Sequence, residues 1–524
     1  MKELIYSRLL GPAARQEGKH AAVIDGTHRA TLEEHVARVH RLCRVLRDLG
    51  VGPGDRFAVM ALNSHAFVEL YHAAYLGAGI INPLNLRLAG KELDYILRDS
   101  GTEVVFVDQT FLKLIRLAID LGGAESKVRK LVLIGEPADD SPKYDARYED
   151  LLRAAEPLVP EEPEETDAVV LMYTGGTTGL PKGVLLNQRA EMLNTYHVMI
   201  RMGWMTGEVT LVQTPMFHAA SMVSILSGVL GGSTIITMPM FSPDGAMRII
   251  EEHQVTITTM VPTMIGMMFQ HPEFRPERLR SLRVLSYGAS PMPEAILKRL
   301  LEYFPLLGIQ QGYGMTESAS VLTLLTVDDH KQGGERLRSA GRAVPGVELC
   351  IQNAAGKLLP PREIGEVCAR GGNFMTGYWK KEEATNEAFR DGWYHTGDAG
   401  YLDEAGYLFL VDRVKDMIVT GGENVYSAEV ESAISTHASV AQVAVIGIPH
   451  DVWGEQVHAI VVLRAGATAT VAEIQEHARA NIAGYKVPKS VEFRAAPLPL
   501  SGAMKILKRE LREPYWKGHT RRIN

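Results

Sequence analysis

One glycine- and threonine-rich tract carries the residues that could bind a phosphate group. It runs from Leu171 to Val184 and overlaps the apolar run from Ala168 to Met172, which is typical of a buried strand. Glycines let the backbone turn tightly and approach a ligand, while threonine hydroxyls and a lysine can donate to phosphate oxygens. The sequence therefore predicts a strand leading into a phosphate-binding loop, with the candidate contacts Thr174, Gly175, Gly176, Thr177, Thr178, Gly179 and Lys182.

This loop lacks the pattern of the common nucleotide-binding loop. That pattern places serine or threonine directly after a Gly-Lys pair, whereas Lys182 lies between Pro181 and Gly183. The difference argues against a kinase or a GTPase. A flexible glycine-threonine linker is the structural alternative, and the preceding strand together with the single lysine disfavours it.

Two further segments combine groups that could bind a nucleotide. From Gln311 to Glu317 an aromatic ring, a hydroxyl and a carboxylate lie close together, and further on Asp398 ends a Tyr-His-Thr-Gly-Asp run and Arg413 follows an aspartate. Taken alone, the first segment could be a glycine-rich turn with a solvated glutamate. Asp398 could be a turn residue and Arg413 a surface charge. Each of these signals is weak on its own.

Together the motifs resemble those of the adenylate-forming enzymes, the superfamily of acyl-CoA synthetases, peptide-synthetase adenylation domains and luciferases. The run Tyr-Thr-Gly-Gly-Thr-Thr-Gly-Leu-Pro-Lys-Gly is similar to the signature loop of that family, and the resemblance continues to Lys508. Two positions depart from the family pattern, because Gly175 replaces a serine and Met504 replaces the glycine that precedes Lys505. The first change removes a hydroxyl from the loop, and the second adds bulk beside the expected catalytic lysine.

The resemblance implies a role for each nucleotide-site residue. Tyr313 would stack on adenine, and Thr316 would bind the α-phosphate. Glu317 would hold Mg²⁺, which prefers oxygen ligands. Asp398 would accept hydrogen bonds from the ribose hydroxyls, and Arg413 would donate to them. Further candidate ATP contacts lie where strands end, at Gly288, Ala289, Ser290, Gln311, Gly312, Gly314 and Met315.

The resemblance also places the catalytic lysine and a hinge near the C-terminus. Lys505 is the expected catalytic lysine, with Lys508 as the competing position. Lys415 would be the hinge of a mobile C-terminal domain, so that one site serves two half-reactions. After rotation, Lys505 would leave the site and a loop facing the thiol channel would replace it, formed by Gly421, Gly422 and Glu423.

The implied activity is that of an AMP-forming carboxylate-CoA ligase that uses ATP, Mg²⁺ and CoA. His218 follows Thr-Pro-Met-Phe, a segment similar to the one that lines the acyl site, and would gate the carboxylate. Without the resemblance, a lone histidine among apolar residues is more often structural. Two alternatives stay open: the acceptor could be the phosphopantetheine of a carrier protein, or the chain could be a catalytically inactive nucleotide-binding regulator.

The sequence gives a coarse expectation for the acid. Methionine suits irregular apolar ligands, although the same residues could simply pack in the core. Gly288, Gly312 and Gly314 are expected to add room. We therefore expect a medium- or long-chain fatty acid or a bulky alicyclic acid, near the methionines Met216, Met222, Met260, Met264 and Met315.

Composition limits the class of protein and its partners. The chain has 524 residues, a formal net charge of −7 and no basic run interleaved with aromatic residues, which disfavours nucleic acid as a partner. Its three cysteines are widely spaced, so the spacing suggests neither a disulfide framework nor a thiolate metal site. The charged N-terminus does not resemble a signal peptide, and we expect a cytoplasmic enzyme without a transmembrane segment. A homodimer is left open.

Alternating strand and helix patterns predict an α/β fold. A capping-box pattern at Thr31 opens a helix, and the apolar stretch from Val209 to Pro243 is interrupted by glycines, which favours a buried core over a membrane span. The polar segment 136–166 is expected to divide two β/α subdomains, and short strands after Gly341 predict a small antiparallel subdomain. These parts would form a large domain, 1–413, followed by a small mobile α+β domain, 414–524.

Overall fold

The structure is a computed structural model that describes residues 2–17, 22–174, 180–290, 292–413, 416–420, 423–450, 452–501 and 506–517. Its helices are α1 (Ser7–Glu17), α2 (Leu32–Asp48), α3 (His65–Tyr75), α4 (Gly90–Ser100), α5 (Leu112–Gly122), α6 (Tyr148–Ala154), α7 (Gln188–Met202), α8 (Ala219–Leu230), α9 (Pro243–His253), α10 (Pro262–Gln270), α11 (Glu294–Tyr303), α12 (Val327–Gln332), α13 (Glu382–Ala388), α14 (Ser427–Ser435), α15 (Val471–Asn481) and α16 (Lys508–Trp516).

The strands form four sheets. In chain order they are β1 (Ala22–Asp25), β2 (His28–Thr31), β3 (Arg56–Met60), β4 (Ile80–Pro83), β5 (Val104–Asp108), β6 (Lys130–Ile134), β7 (Ala146–Arg147), β8 (Ala168–Thr174), β9 (Lys182–Asn187), β10 (Val209–Val212), β11 (Thr234–Thr237), β12 (Ile257–Met260), β13 (Val284–Gly288), β14 (Gly308–Tyr313), β15 (Thr323–Leu325), β16 (Arg342–Ala343), β17 (Glu348–Gln352), β18 (Gly365–Arg370), β19 (Gly377–Tyr378), β20 (Phe389–Arg390), β21 (Trp393–Leu402), β22 (Leu408–Arg413), β23 (Ile418–Thr420), β24 (Glu423–Val425), β25 (Val440–His450), β26 (Gly454–Leu463) and β27 (Ser490–Phe493).

The expected capping box opens α2. The Thr31 hydroxyl accepts a hydrogen bond from the Glu34 amide at 3.2 Å, and the Glu34 carboxylate accepts one from the Thr31 amide at 2.8 Å. Apolar side chains at helical spacing, including Val39, Leu42 and Leu46, are buried. Local chemistry therefore sets both the start of this helix and the face that it buries.

Two large, mainly parallel sheets build most of the chain. One has nine strands in the order β16-β15-β14-β13-β12-β10-β11-β1-β2, and the other has eight in the order β19-β9-β8-β4-β3-β5-β6-β7. The chain starts the first sheet with β1 and β2, forms β3 to β9 of the second sheet, returns to the first sheet with β10 to β16, and later adds β19 to the second. The strand order therefore interleaves the two sheets along the chain.

This interleaving corrects the expected subdomain division at 136–166. That segment contains β7 and α6, and β7 pairs with β6 of the eight-stranded sheet. After it, β8 returns to the same sheet beside β4, with Val170 opposite Ile81. The prediction was wrong because the polar composition marks a surface connection within one sheet. The chain crosses to the other sheet only after β9, through α7.

Two smaller sheets follow, as the short-strand pattern predicts. One is antiparallel and runs β17-β18-β21-β20, with β22 paired to β21. The other runs β24-β23-β26-β25 and carries β27 in parallel on β26, with α14, α15 and α16 on its faces. The predicted α/β architecture, with a small antiparallel unit and a C-terminal α+β unit, is confirmed.

A helical layer joins the two large sheets. Every residue of α3 from Ala66 to Tyr75 is buried, and the helix contacts β1 of one sheet and β4 and β8 of the other. The predicted core segment 209–243 forms β10, α8 and β11, whose side chains are largely buried. In the described part of the chain, no helix has the length and apolarity needed to cross a membrane.

A partly buried ionic cluster fastens β1 to this layer. His65 Nδ1 lies 2.8 Å from Asp25 Oδ2, and His65 Nε2 lies 3.2 Å from Glu149 Oε1. Burial by itself lowers the pKa of His65, but hydrogen bonds to the two carboxylates outweigh it and raise that pKa to about 9. His65 is therefore a cation near neutral pH and holds the end of the first strand against α3 and α6.

Candidate functional site

The predicted phosphate-binding tract is the connection between two antiparallel strands. Thr174 at the end of β8 lies opposite Lys182 at the start of β9. The intervening candidates Gly175, Gly176, Thr177, Thr178 and Gly179 lie outside the described residues. Because Lys182 opens a strand in place of a helix, its geometry differs from that of the common nucleotide-binding loop, in agreement with the sequence.

Lys182 and Glu317 are brought together by Tyr378. Tyr378 lies on β19 beside β9, and the Lys182 ammonium lies 4.9 Å from the centre of its ring. The Tyr378 hydroxyl donates to Glu317 Oε1 at 2.9 Å. Burial and then the Glu317 charge raise the pKa of Tyr378, so its hydroxyl stays a donor. A cation, a phenol and a carboxylate thus form one cluster, and sequence reasoning missed the phenol that joins them.

Two buried asparagines hold the turn that carries Thr316 and Glu317. Asn194 Nδ2 lies 3.3 Å from the carbonyl oxygen of Ser318 and 2.9 Å from that of Val321. Asn373 Nδ2 lies 3.0 and 3.1 Å from the same two oxygens. In an asparagine side chain only the amide nitrogen can donate to a carbonyl oxygen, so these contacts determine the orientation of both amide groups.

The backbone of this turn requires such support. Ala319 and Ser320 have φ angles of 53° and 111°, a region that residues with a side chain rarely adopt. The Glu317 carbonyl also accepts a hydrogen bond from the Met375 amide at 2.7 Å. The segment beside Asn373 therefore fixes the turn from a second side.

Tyr313 and Asp398, both predicted nucleotide contacts, touch each other. The Tyr313 hydroxyl donates to Asp398 Oδ2 at 2.7 Å. Asp398 follows Gly397, whose φ of 71° suits glycine, and the Gly397 amide donates to Glu366 Oε1 at 3.2 Å. The backbone of Arg413 lies opposite Asp398 in the β21–β22 ladder. The structure thus brings three of the predicted adenosine contacts to one place.

The glycines expected to widen the acyl site do not all do so. A Cβ at Gly288 would lie 2.5 Å from the Gly312 carbonyl oxygen, and one at Gly314 would lie 2.0 Å from that of Ser320. At these two positions the expectation was wrong, because neighbouring backbone fills the space that a side chain would take.

The other predicted ATP contacts lie at the ends of these strands. Ala289 follows Gly288 with a φ of 66°, and Gln311 and Gly312 pair with β13 and β15. Ser290 and Met315 are partly buried beyond these strands.

His218 precedes α8 and lies against Phe217, with ring centroids 4.6 Å apart. The segment before it is held by Asn63, which accepts from the Met216 amide at 2.8 Å and donates to the Thr214 carbonyl at 2.9 Å. Four of the five methionines expected near the acid are fully buried among core residues: Met216, Met222, Met260 and Met264. Core packing, the alternative stated for them, accounts for these four.

The C-terminal candidates are described only in part. Lys505, Lys415, Gly421 and Gly422 lie outside the described residues, and for Glu423 the backbone pairs within β23–β24. The competing lysine, Lys508, begins α16, where its ammonium lies 2.8 Å from Glu431 Oε1 and also donates to Ser427. Lys508 is thus held inside the C-terminal unit.

Comparison with known proteins decides the family. A model of the AMP-binding enzyme matches residues 11–379, and a model of the AMP-binding enzyme C-terminal domain matches residues 429–505. This chain belongs to the AMP-binding enzyme family. The resemblance to adenylate-forming enzymes is confirmed, and the chain is an AMP-forming acid–thiol ligase that uses ATP, Mg²⁺ and CoA.

Several relatives match over nearly their whole length. Feruloyl-CoA synthase of an Amycolatopsis species is 38% identical, over 96% of this chain and 97% of its own. A fatty acid–[acyl-carrier-protein] ligase of Streptomyces coeruleorubidus is 32% identical, over 98% and 96%. The solved Mycobacterium tuberculosis fatty acyl CoA synthetase superposes with a TM-score of 0.77 at 33% identity, covering 98% of each chain. The members of the family that resemble this chain therefore differ in the acid and in the acceptor that their names state.

Proposed function

We propose that this ligase activates a bulky, largely apolar carboxylic acid and transfers it to CoA. The acid is a medium- or long-chain fatty acid or an acid that bears a ring. Two observations support the choice of acid: the segment Thr214–Val223 around His218 contains no other ionisable residue, and the similar proteins are named for ferulic and fatty acids. His218 gates the carboxylate in this proposal.

The observation that carries the proposed chemistry is the cluster of Lys182, Tyr378 and Glu317. The carboxylate attacks the α-phosphorus of ATP, pyrophosphate leaves, and the CoA thiol then displaces AMP from the acyl-adenylate. Lys182 stabilises negative charge on the phosphate oxygens, and Thr316 binds the α-phosphate. Glu317 offers carboxylate oxygen, the ligand that Mg²⁺ prefers, and Tyr378 fixes one of its two oxygens. When bound, Mg²⁺ would supply positive charge that offsets the charge of the phosphates.

The remaining residues orient the nucleotide and separate the two steps. Asp398 binds the ribose hydroxyls together with Arg413, and Tyr313 lies beside adenine while its hydroxyl steadies Asp398. In the first step Lys505 reaches the carboxylate and the α-phosphate. The domain 414–524 then rotates about Lys415 and presents the loop of Gly421, Gly422 and Glu423 to the thiol. Homodimerisation stays a prediction, which sedimentation of the purified chain tests.

Lys182→Ala and Glu317→Ala test the cluster. Each removes a charge that faces the triphosphate, so adenylate formation should fall by about 10²–10³-fold, as for the loss of one preorganised charge-stabilising group. Lys380→Ala is the matched control, since Lys380 lies beside Trp379 on the same edge and donates to the Asp99 carbonyl. Adenylate formation is measured as carboxylate-dependent pyrophosphate release. A wild-type rate in either test variant contradicts the assignment.

A panel of acids tests the substrate class. Octanoate, palmitate, ferulate and cyclohexanecarboxylate are compared with acetate and phenylalanine by AMP formation at saturating ATP. We expect the apolar and ring-bearing acids to have the higher kcat/KM. A preference for acetate or for the amino acid contradicts the proposal.

The similarity to a fatty acid–[acyl-carrier-protein] ligase gives a specific alternative acceptor against which CoA can be tested. In that alternative, the thiol belongs to the phosphopantetheine of a carrier protein. Thioester formation from acyl-adenylate is therefore measured with free CoA and with a phosphopantetheinylated carrier. The CoA assignment requires turnover with free CoA. An inactive regulator would release no pyrophosphate with any acid.

A further inference from the structure

Three side chains with different metal-binding atoms converge on the small antiparallel sheet. Glu366 and Cys368 lie on β18, and His395 lies directly opposite Cys368 on β21. Cys368 Sγ is 3.4 Å from His395 Nδ1, which is 2.9 Å from Glu366 Oε2. One ligand atom from each residue lies within 4.8 Å of the other two. Strand pairing thus assembles a thiol, an imidazole and a carboxylate around a single point.

The contacts at His395 Nδ1 are more numerous than one nitrogen can satisfy. Besides Cys368 and Glu366, the Arg390 guanidinium lies 2.8 Å away. An imidazole nitrogen makes one in-plane bond, as donor or as acceptor. If Nδ1 carries a proton and donates to Glu366, that proton points at the N–H donor of Arg390. If Nδ1 instead accepts from Arg390, its lone pair faces the negative carboxylate of Glu366. A cation bound by all three side chains would resolve this conflict, because each would contribute an electron pair.

We propose that Glu366, Cys368 and His395 form a binding site for a divalent cation of the zinc class. Thiolate, imidazole and carboxylate together suit Zn²⁺, whereas Mg²⁺ prefers oxygen ligands alone. The site is therefore chemically distinct from Glu317. On binding, the Cys368 thiol loses its proton to solvent, the metal–sulfur bond forms, and Arg390 leaves Nδ1. Three protein ligands leave a fourth position for water.

The site has a route to solvent. The Glu366 side chain is partly exposed and the Arg390 side chain is 52% exposed. Arg390 can therefore turn towards solvent without disrupting buried packing. Arg390 and the cation compete for Glu366 and His395. The sequence did not suggest this site, because 27 residues separate Cys368 from His395 and only the strand pairing brings them together.

Cobalt is the spectroscopic probe for the test. The metal-stripped full chain is titrated with Co²⁺ in the presence of Mg²⁺, and Zn²⁺ is then added in competition. We expect a near-ultraviolet thiolate-to-cobalt band that Zn²⁺ abolishes. Cys368→Ser should lose the band, whereas Cys43→Ser, on α2 and outside the three-ligand set, should keep it. Absence of the band in the wild type, or its persistence in Cys368→Ser, overturns the proposal.

Two further variants separate ligation from folding. His395→Gln should weaken Zn²⁺ binding by at least about tenfold. Loss of a residue that only hydrogen-bonds to a metal ligand already lowers metal affinity by about that factor. Arg390→Ala should tighten it, because the competing cation is gone, while Arg370→Ala, with a similarly exposed guanidinium paired to Glu348, should leave it unchanged. A chromophoric chelator gives the affinities. If Arg390→Ala weakens binding, or His395→Gln leaves it unchanged in a variant with the wild-type circular dichroism spectrum, the assignment is wrong.

Discussion

Replacing Asn194 and Asn373 together should cost more stability than the two single replacements add up to. Each amide donates to the carbonyl oxygens of Ser318 and Val321, so either asparagine alone leaves both carbonyls with one donor. A single Asn→Leu change removes two hydrogen bonds but leaves each carbonyl with one donor. The expected cost of this change is about 1 kcal/mol. The double variant leaves both carbonyl oxygens without a side-chain donor.

The size of the coupling follows from the burial of the two carbonyls. Ser318 is fully buried, so its orphaned oxygen should cost towards the upper end of about 1–3 kcal/mol, while Val321 is only partly buried and should cost less. The expected coupling energy is therefore about 2–3 kcal/mol, in the range for residues that share partners. It should appear as a further loss of hydrogen-exchange protection of about 30- to 140-fold, since 1.4 kcal/mol is a factor of ten.

The assay is native-state hydrogen exchange of the peptide around Ser318, which does not require the whole chain to unfold in one step. A second readout is the Mg²⁺ concentration for half-maximal adenylation, because the same turn carries Glu317. Leu93→Ala, a buried change in α4, controls for general destabilisation, at an expected cost of about 2–5 kcal/mol. Strictly additive costs, or an equal Mg²⁺ shift in Leu93→Ala, would refute the reasoning.

Three other changes test separate parts of the molecule. Lys505→Ala should lose adenylation yet still convert supplied acyl-adenylate and CoA to thioester. Lys508→Ala should keep both steps. Equal loss of both half-reactions in a folded Lys505→Ala variant would contradict the two-orientation mechanism. Tyr378→Phe should raise the Mg²⁺ requirement of adenylation several-fold without changing the Kd for acyl-adenylate, and an unchanged requirement contradicts the role of the phenol. The folded-state pKa of His65, about 9, exceeds its unfolded value, so its stabilisation is complete below pH 6.5 and is lost as the pH rises through 9. The free energy of unfolding, measured by urea titration, should fall by about 3 kcal/mol across that window, and His65→Gln should remove this pH dependence.

Local patterns predicted the local parts of the fold. The capping box gave the start of α2, and the apolar stretch 209–243, interrupted by glycines, forms the buried elements β10, α8 and β11, as expected of a core segment. The division at 136–166 failed because it depends on which strands pair, and β4 and β8 are far apart in sequence. Composition reports that a segment is on the surface, but it carries no information about the sheet to which the chain returns.

The same distinction holds for the candidate site. Lys182 and Glu317 lie in contiguous motifs, so their types and spacing were visible in the sequence. Tyr378, Asn194 and Asn373 were missed, because each comes from another segment and an isolated tyrosine or asparagine has no distinguishing pattern. Their roles follow from hydrogen bonds across the fold, which only the folded chain brings together.

The position of β1 has a consequence for synthesis of the chain on the ribosome. Val23 in β1 pairs in parallel with Ile235 in β11, and 235 − 23 = 212 residues separate them. At about 5–20 residues per second, the first hairpin waits roughly 10–40 s for that partner. During this time the edge of β1 that will pair with β11 has no neighbouring strand, while the eight-stranded sheet is already being made. The emerging chain therefore presents a strand edge for chaperones to cover until β11 leaves the ribosome.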